Sequence, residues 1–228
     1  MEKLLLLHGA LGCHTNFNEL KTALSEHYDV YCLDFYGHGS EAFSTEPFKI
    51  EGFSEQVFNW LEENNLDAVS IFGYSMGGYV ALHLAAKHPE KVKRIFTLAT
   101  KFDWNEASAE KETKLLDPDK IEAKVPMFAN ELSERHGEHL WKNVLRKTAE
   151  MMLALGQQKA LSEEDLSQIE IPVLVSVGDR DPMVSLEETA SVRKQLKNAA
   201  LLVLPNTVHP LEKIPVARLV FECRQFFG

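Results

Sequence analysis

Residues 69–80 read VSIFGYSMGGYV, and the fold turns on how this stretch is parsed. Residues 69–72 form a short, continuous apolar run of strand length. From Tyr79 to His88 the chain is rich in Ala and Leu and stops at Pro89, as a helix does. Between them lies Gly73-Tyr74-Ser75-Met76-Gly77, a G-x-S-x-G in the strand–turn–helix setting that a nucleophile elbow requires. Such a turn holds the serine in a strained backbone conformation with its hydroxyl exposed. Side chains at the flanking glycine positions are expected to collide with neighbouring strands. The serine also stands at a helix N-terminus, where free N–H groups and the dipole favour developing negative charge.

Working outward, similar apolar runs occur at residues 4–7, 30–33, 95–98, 173–177 and 201–204. Continuous rather than alternating hydrophobicity predicts strands buried on both faces, as in a parallel sheet. Helical patterns fill the gaps. Phe53, Val57, Trp60 and Leu61 mark one amphipathic face, and further helices are expected over 186–196 and 216–227. The alternation predicts a doubly wound, mostly parallel α/β sheet in a single domain spanning 1–228. From about 101 to 170 the strand rhythm stops. Val125, Phe128 and Leu132 are expected to form one apolar stripe there. Trp141, Val144, Leu145, Met151, Met152 and Leu155 form a longer one. This insertion is expected to be a small helical cap over one end of the sheet.

Composition narrows the function. The chain has 228 residues, 45% hydrophobic and 25% charged, which excludes disordered and low-complexity classes. Its longest apolar run is six residues, 199–204, far short of the ~20 a membrane helix needs. The four leucines near the N-terminus are too few for a signal-peptide core and read as a buried strand. A net charge of −10 repels phosphate backbones. Cys13, Cys32 and Cys223 are an odd number and widely spaced, so no disulfide framework is expected. The expected setting is cytoplasmic. The expected partner is a small-molecule substrate, with no nucleic acid and no membrane, for a monomer or homodimer. No cofactor is expected, and no metal, since no ligand cluster has metal spacing.

A serine hydroxyl is a poor nucleophile near neutral pH and needs a base. Of nine histidines, His209 follows the apolar run 201–204 by a short loop, at the same carboxyl edge as Ser75. His83 and His88 ride the helix after the elbow. His136 and His139 have charged neighbours and read as a solvated face, and His8 reads as pinning its loop. The orienting acid is expected where the run 173–177 ends, in Gly178-Asp179-Arg180-Asp181-Pro182. Either aspartate fits. Asp181 lies further round the turn and is favoured over Asp179, with Asp103 a distant alternative. The glycine-containing loop His8-Gly9-Ala10-Leu11-Gly12 after the first strand lets a backbone N–H, that of Ala10, approach a reacting oxygen. The partner N–H is that of Met76.

Together these features make the chain similar to capped serine hydrolases of the α/β-hydrolase-fold family. The matching residues, in order, are His8-Gly9, Asp34-Phe35-Tyr36-Gly37-His38-Gly39-Ser40, Gly73 to Gly78, Gly178 to Asp181, and His209. The resemblance implies Ser75, Asp181 and His209 as catalytic residues, with Asp181 the final aspartate of its turn. It places the cap at the insertion 101–170. The two antiparallel N-terminal edge strands of the full fold are missing, which would leave the first strand's edge exposed. Val208 stands where the family often has glycine. A serine at position 75 excludes the aspartate-nucleophile members. Lyases that make the menaquinone precursor carry an arginine where Tyr79 stands here. The expectation is a serine hydrolase of a small carboxylic ester or thioester. The alternatives are a lyase or carbon–carbon bond hydrolase, or a non-catalytic ligand-binding relative. Tyr74, Trp104, Phe128, Trp141 and Met151 are the candidate substrate-binding residues, with Met127 and Met152 as further apolar cap residues.

Overall fold

The computed structural model describes residues 1–43 and 46–228. Six strands form one parallel sheet: β1 (Glu2–Leu7), β2 (Tyr28–Leu33), β3 (Val69–Tyr74), β4 (Val92–Leu98), β5 (Val173–Gly178) and β6 (Ala199–Leu204). Their order is β2-β1-β3-β4-β5-β6. Helices α1 (Asn18–Leu24), α2 (Ile50–Glu63) and α3 (Met76–Lys87) occupy the first half of the chain. Between β4 and β5 lie α4 (Glu106–Thr113), α5 (Pro118–Lys124), α6 (Pro126–His136), α7 (Trp141–Gln157) and α8 (Glu163–Gln168). Helices α9 (Leu186–Gln195) and α10 (Val216–Phe227) complete the sheet's cover.

The leucine run of β1 shows why the sheet is central. All four leucines are fully buried. Leu5 and Leu7 belong to one core with Val57, Val80 and Val192 of α2, α3 and α9. Leu4 and Leu6 face Leu20 and Leu24 of α1 and Phe227 of α10. Alternate residues of a strand point to opposite faces, so a continuous apolar run is what a two-sided core demands. Each buried leucine contributes roughly 1.5–3 kcal/mol of transfer free energy.

Three expectations need correction. The first strand is not an edge: β1 pairs with both β2 and β3. The edges are β2 and β6, and β6 is only partly buried, with Leu201 38% exposed. Its apolar run therefore does not mark burial on both faces. Second, Val125 is not part of an apolar stripe. It is half exposed and separates α5 from α6. Pro126 disfavours helical backbone at the residue before it, so the chain turns there and Val125 leaves the face that Leu132 buries. Third, the helix after the elbow begins at Met76, three residues ahead of the expected Tyr79.

The stripe on α7 divides between two cores. Val144, Met151, Met152 and Leu155 join the core beneath, while Trp141 and Leu145 pack with Ile121, Ala129 and Leu132 of α5 and α6. Among the described residues, no helix is long and apolar enough to cross a membrane. No group of three or more His, Cys, Asp or Glu among them is placed to hold a metal ion.

Candidate active site

The site begins at the sharp turn from β3 into α3. Ser75 has φ +50° and ψ −116°, a region costly for any residue with a Cβ. The surroundings over-determine it. Ser75 N–H donates to Leu98 O at 2.7 Å, and Thr100 Oγ1 donates to Ser75 O at 2.9 Å. The glycines explain how α3 comes so close to the sheet. A Cβ on Gly77 would fall on the carbonyl oxygen of Leu7 in the neighbouring strand. A Cβ on Gly73 would lie 2.5 Å from Gly78 Cα, so that collision is with the helix and not with a strand as expected. The N–H of Met76, in the first turn of α3, lies outside the helix ladder and is free to bind an anion.

Asp181 and His209 meet at the same sheet edge. His209 Nδ1 lies 2.7 Å from Asp181 Oδ2. The other carboxylate oxygen, Oδ1, accepts the N–H groups of Met183 at 2.8 Å and Val184 at 2.9 Å. Burial works to raise the Asp181 pKa. The hydrogen bond and charge of His209, with the two backbone donors, outweigh it and hold the carboxyl below its usual range. The carboxylate therefore stays ionised and fixes one end of the imidazole, leaving Nε2 outside that pair. Tyr74 hydroxyl donates to His209 O at 3.0 Å and braces the loop. Asp179 instead accepts the Thr207 N–H at 3.1 Å, and Asp103 faces Lys159 at 3.8 Å. Of the three candidate acids, Asp181 is the one beside His209.

The loop after β1 supplies Ala10, which lines two cavities, one beside Ser75 and one beside His209. The first is bounded by Ser75, Met76, Tyr79, Trp104, Met151 and Met183. It is apolar apart from Ser75, the Tyr79 hydroxyl and Lys101. That ammonium is already engaged, by Met183 O at 3.0 Å and Glu188 Oε2 at 3.9 Å. The second is bounded by Tyr74, Phe128, Arg135, His209 and Glu212. Trp104 and Met151 thus sit beside Ser75, and Tyr74 and Phe128 beside His209. Trp141 reaches neither cavity, because its ring is spent on the contact between α6 and α7. Met127 is 77% exposed and lines neither, while Met152 lines the first.

Sequence reasoning missed Lys101, Tyr79, Met183 and Arg135 as lining residues. The first three directly follow β4, the elbow and the acid turn, so their nearness to named site residues was an available signal. His8 pins its loop as read. Its Nδ1 bonds Gly9 O at 2.8 Å and its Nε2 accepts the Phe35 N–H at 3.0 Å. Burial lowers its pKa to about 3, so it stays neutral. Burial also raises Cys32 to about 11 and pushes Cys223 up, which makes both thiols poor nucleophiles.

A family model described as alpha/beta hydrolase fold matches residues 3–149, a stretch that holds the elbow. The chain belongs to the α/β-hydrolase fold family. It is an enzyme of the serine-hydrolase type within it. Among curated relatives it is similar to the pimeloyl-[acyl-carrier protein] methyl ester esterase of Neisseria meningitidis, 25% identical over 92% of this chain and 87% of that protein. It is equally similar to the (E)-2-((N-methylformamido)methylene)succinate hydrolase of Acinetobacter baylyi, 25% identical over 91% of this chain and 83% of that one. Among solved structures it resembles the 2-hydroxy-6-oxo-6-phenylhexa-2,4-dienoate hydrolase of a Rhodococcus strain. That match has a TM-score of 0.82 and 19% identity over 99% of this chain and 90% of that one.

Proposed function

We propose that the chain hydrolyses a small carboxylic ester or thioester through an acyl-enzyme on Ser75. The observation that carries this reading is the 2.7 Å pair of His209 and Asp181 at the sheet edge where Ser75 is held with positive φ. Ser75 Oγ attacks the substrate carbonyl carbon while its proton passes to His209 Nε2. The tetrahedral oxyanion is held by the N–H groups of Ala10 and Met76. Collapse breaks the bond to the leaving alcohol or thiol, which takes the proton from Nε2. Water then attacks the acyl-enzyme, gives its proton to Nε2, and the carboxylic acid leaves as Ser75 regains its hydrogen.

The cavities divide the labour in this reading. The apolar one beside Ser75 takes a short acyl group, and the more polar one beside His209 takes the leaving group. Lys101 is already matched by Glu188, so the acyl pocket favours a neutral group over an acidic one. This favours the ester over the acidic substrates of the lyase alternative. The segment 101–170, with helices α4 to α8, serves as the cap, since Trp104, Met151 and Phe128 reach the cavities from it.

A fluorophosphonate probe tests the assignment directly. It is expected to label Ser75 and to fail on Ser75→Ala, whose ester turnover falls on the order of 10⁶-fold in kcat. Labelling elsewhere, or Ser75→Ala activity within about tenfold of the parent, would sink it.

A further inference from the structure

The loop carrying Ala10 is held in an unfavourable shape, and what holds it comes from the segment between β4 and β5. Gly9 to Gly12 form a four-residue turn closed by Gly12 N–H to Gly9 O at 3.0 Å. Leu11, its third residue, has φ +61°. Glycine or asparagine normally occupies that position, and a leucine there costs on the order of 1–2 kcal/mol unless its surroundings impose it.

Two donors from the last turn of α6 converge on the Leu11 carbonyl. Arg135 Nη1 donates to it at 2.7 Å and His136 Nε2 at 2.9 Å. The tautomer follows from the third contact. Gly39 N–H donates to His136 Nδ1 at 3.1 Å, so that nitrogen carries no hydrogen and Nε2 does. The Leu11 side chain packs on the cluster of Leu132 and Trp141. On the other side His8, the first residue after β1, bonds Gly9 O. The sheet therefore fixes the start of the turn, and α6 fixes its strained end.

We propose that Arg135 and His136 are positioning residues for the oxyanion hole: α6 clamps the Leu11 carbonyl and so aims the Ala10 N–H at the reacting oxygen. This rests on the assignment of Ala10 in the proposed function. An oxyanion donor acts on the transition state and not on the bound ester. Releasing the clamp is therefore expected to lower kcat and leave KM nearly unchanged. It also makes catalysis depend on α6 being docked.

The test uses the full chain, with active sites titrated by the fluorophosphonate. His136→Phe and Arg135→Met are each expected to lower kcat by ~10- to 100-fold per titrated site, the scale of a small misplacement. For His136→Phe, KM is expected to stay within about threefold; Arg135 also lines the cavity beside His209, so Arg135→Met is read on kcat and rescue alone. Adding Leu11→Gly, which adopts positive φ without cost, is expected to restore part of the lost kcat. A merely structural role predicts loss of titratable sites instead, with no rescue. If His136→Phe does not fold, Arg135→Met on the half-buried neighbour carries the test alone. A kcat within about threefold of the parent in the folded variants overturns the proposal, and so does a failure of Leu11→Gly to rescue them. A parent that the probe does not label overturns the underlying assignment of Ser75 instead, which keeps the two failures apart.

Discussion

Acid is expected to unfold this protein through buried imidazoles before most of its carboxylates titrate. His8, His38 and His136 are 1%, 0% and 3% exposed, with His38 between the other two at ring distances of 5.1 and 5.6 Å. Each of the outer rings uses a lone pair to accept a backbone N–H, from Phe35 and Gly39, so the folded state needs both neutral. Burial lowers His8 to about 3, His136 to about 4 and His38 well below its ordinary value; Arg135 works in the same direction on the outer two, while Asp34 opposes it at His38 and His136. In the unfolded chain all three titrate near ~6.5. The unfolded state thus binds more protons between about pH 6.5 and 4, and stability falls as pH falls through that window. Near pH 5 the difference is close to three protons, a slope of roughly 4 kcal/mol per pH unit. From pH 6.5 to 4.5 the loss is about 2 kcal/mol per ring, or about 6 in all, comparable with the ~5–15 kcal/mol that holds a domain folded. Urea unfolding followed by tryptophan fluorescence at several pH values measures the slope. His136→Gln is expected to reduce it by one proton's worth, ~1.4 kcal/mol per pH unit. A parent slope below ~1.4 kcal/mol per pH unit at pH 5 would mean that at most one ring stays neutral, and would refute the argument.

Asp181→Asn keeps an acceptor for the Met183 and Val184 N–H groups but loses the carboxylate that orients His209, so kcat is expected to fall ~10⁴-fold with little change in stability. Asp179→Asn, whose side chain ties down the Asn206 and Thr207 backbone, is expected to cost far less; steady-state kinetics on a p-nitrophenyl ester separates the two, and the reverse order would move the acid to Asp179. Gly77→Ala places a methyl group on the backbone of β1, which has no room to yield, so a loss of at least about 3 kcal/mol is expected in chemical denaturation. Ester turnover is expected to be indifferent to a chelator, and a rate that falls with chelation and recovers with added metal would contradict the triad mechanism.

What the sequence made legible was local. The strand runs, the G-x-S-x-G between strand and helix, and the Gly178–Asp181 turn each declare themselves within a few residues, because side-chain period and turn chemistry act over that distance. The pairing of Asp181 with His209 was also within reach, since both follow parallel strands and so emerge at one edge. Val125 was misread although its signal lay beside it, in Pro126. His136 is a different case. Its neighbours Glu134, Arg135 and Glu138 describe a solvated surface, yet its ring is buried against His38 and the Leu11 carbonyl, 97 and 125 residues away in sequence from its bonding partners Gly39 and Leu11. The same holds for β1, which became interior only because β2, the next strand, adds outside it. Nothing in either segment encodes that outcome alone; it follows from the order in which strands assemble and from which helix end lands over the first loop. In this enzyme the chemistry-bearing groups are locally signalled, while the contacts that hold their geometry are long-range. The long-range set, Leu11 with Arg135 and His136, therefore had to be found in three dimensions.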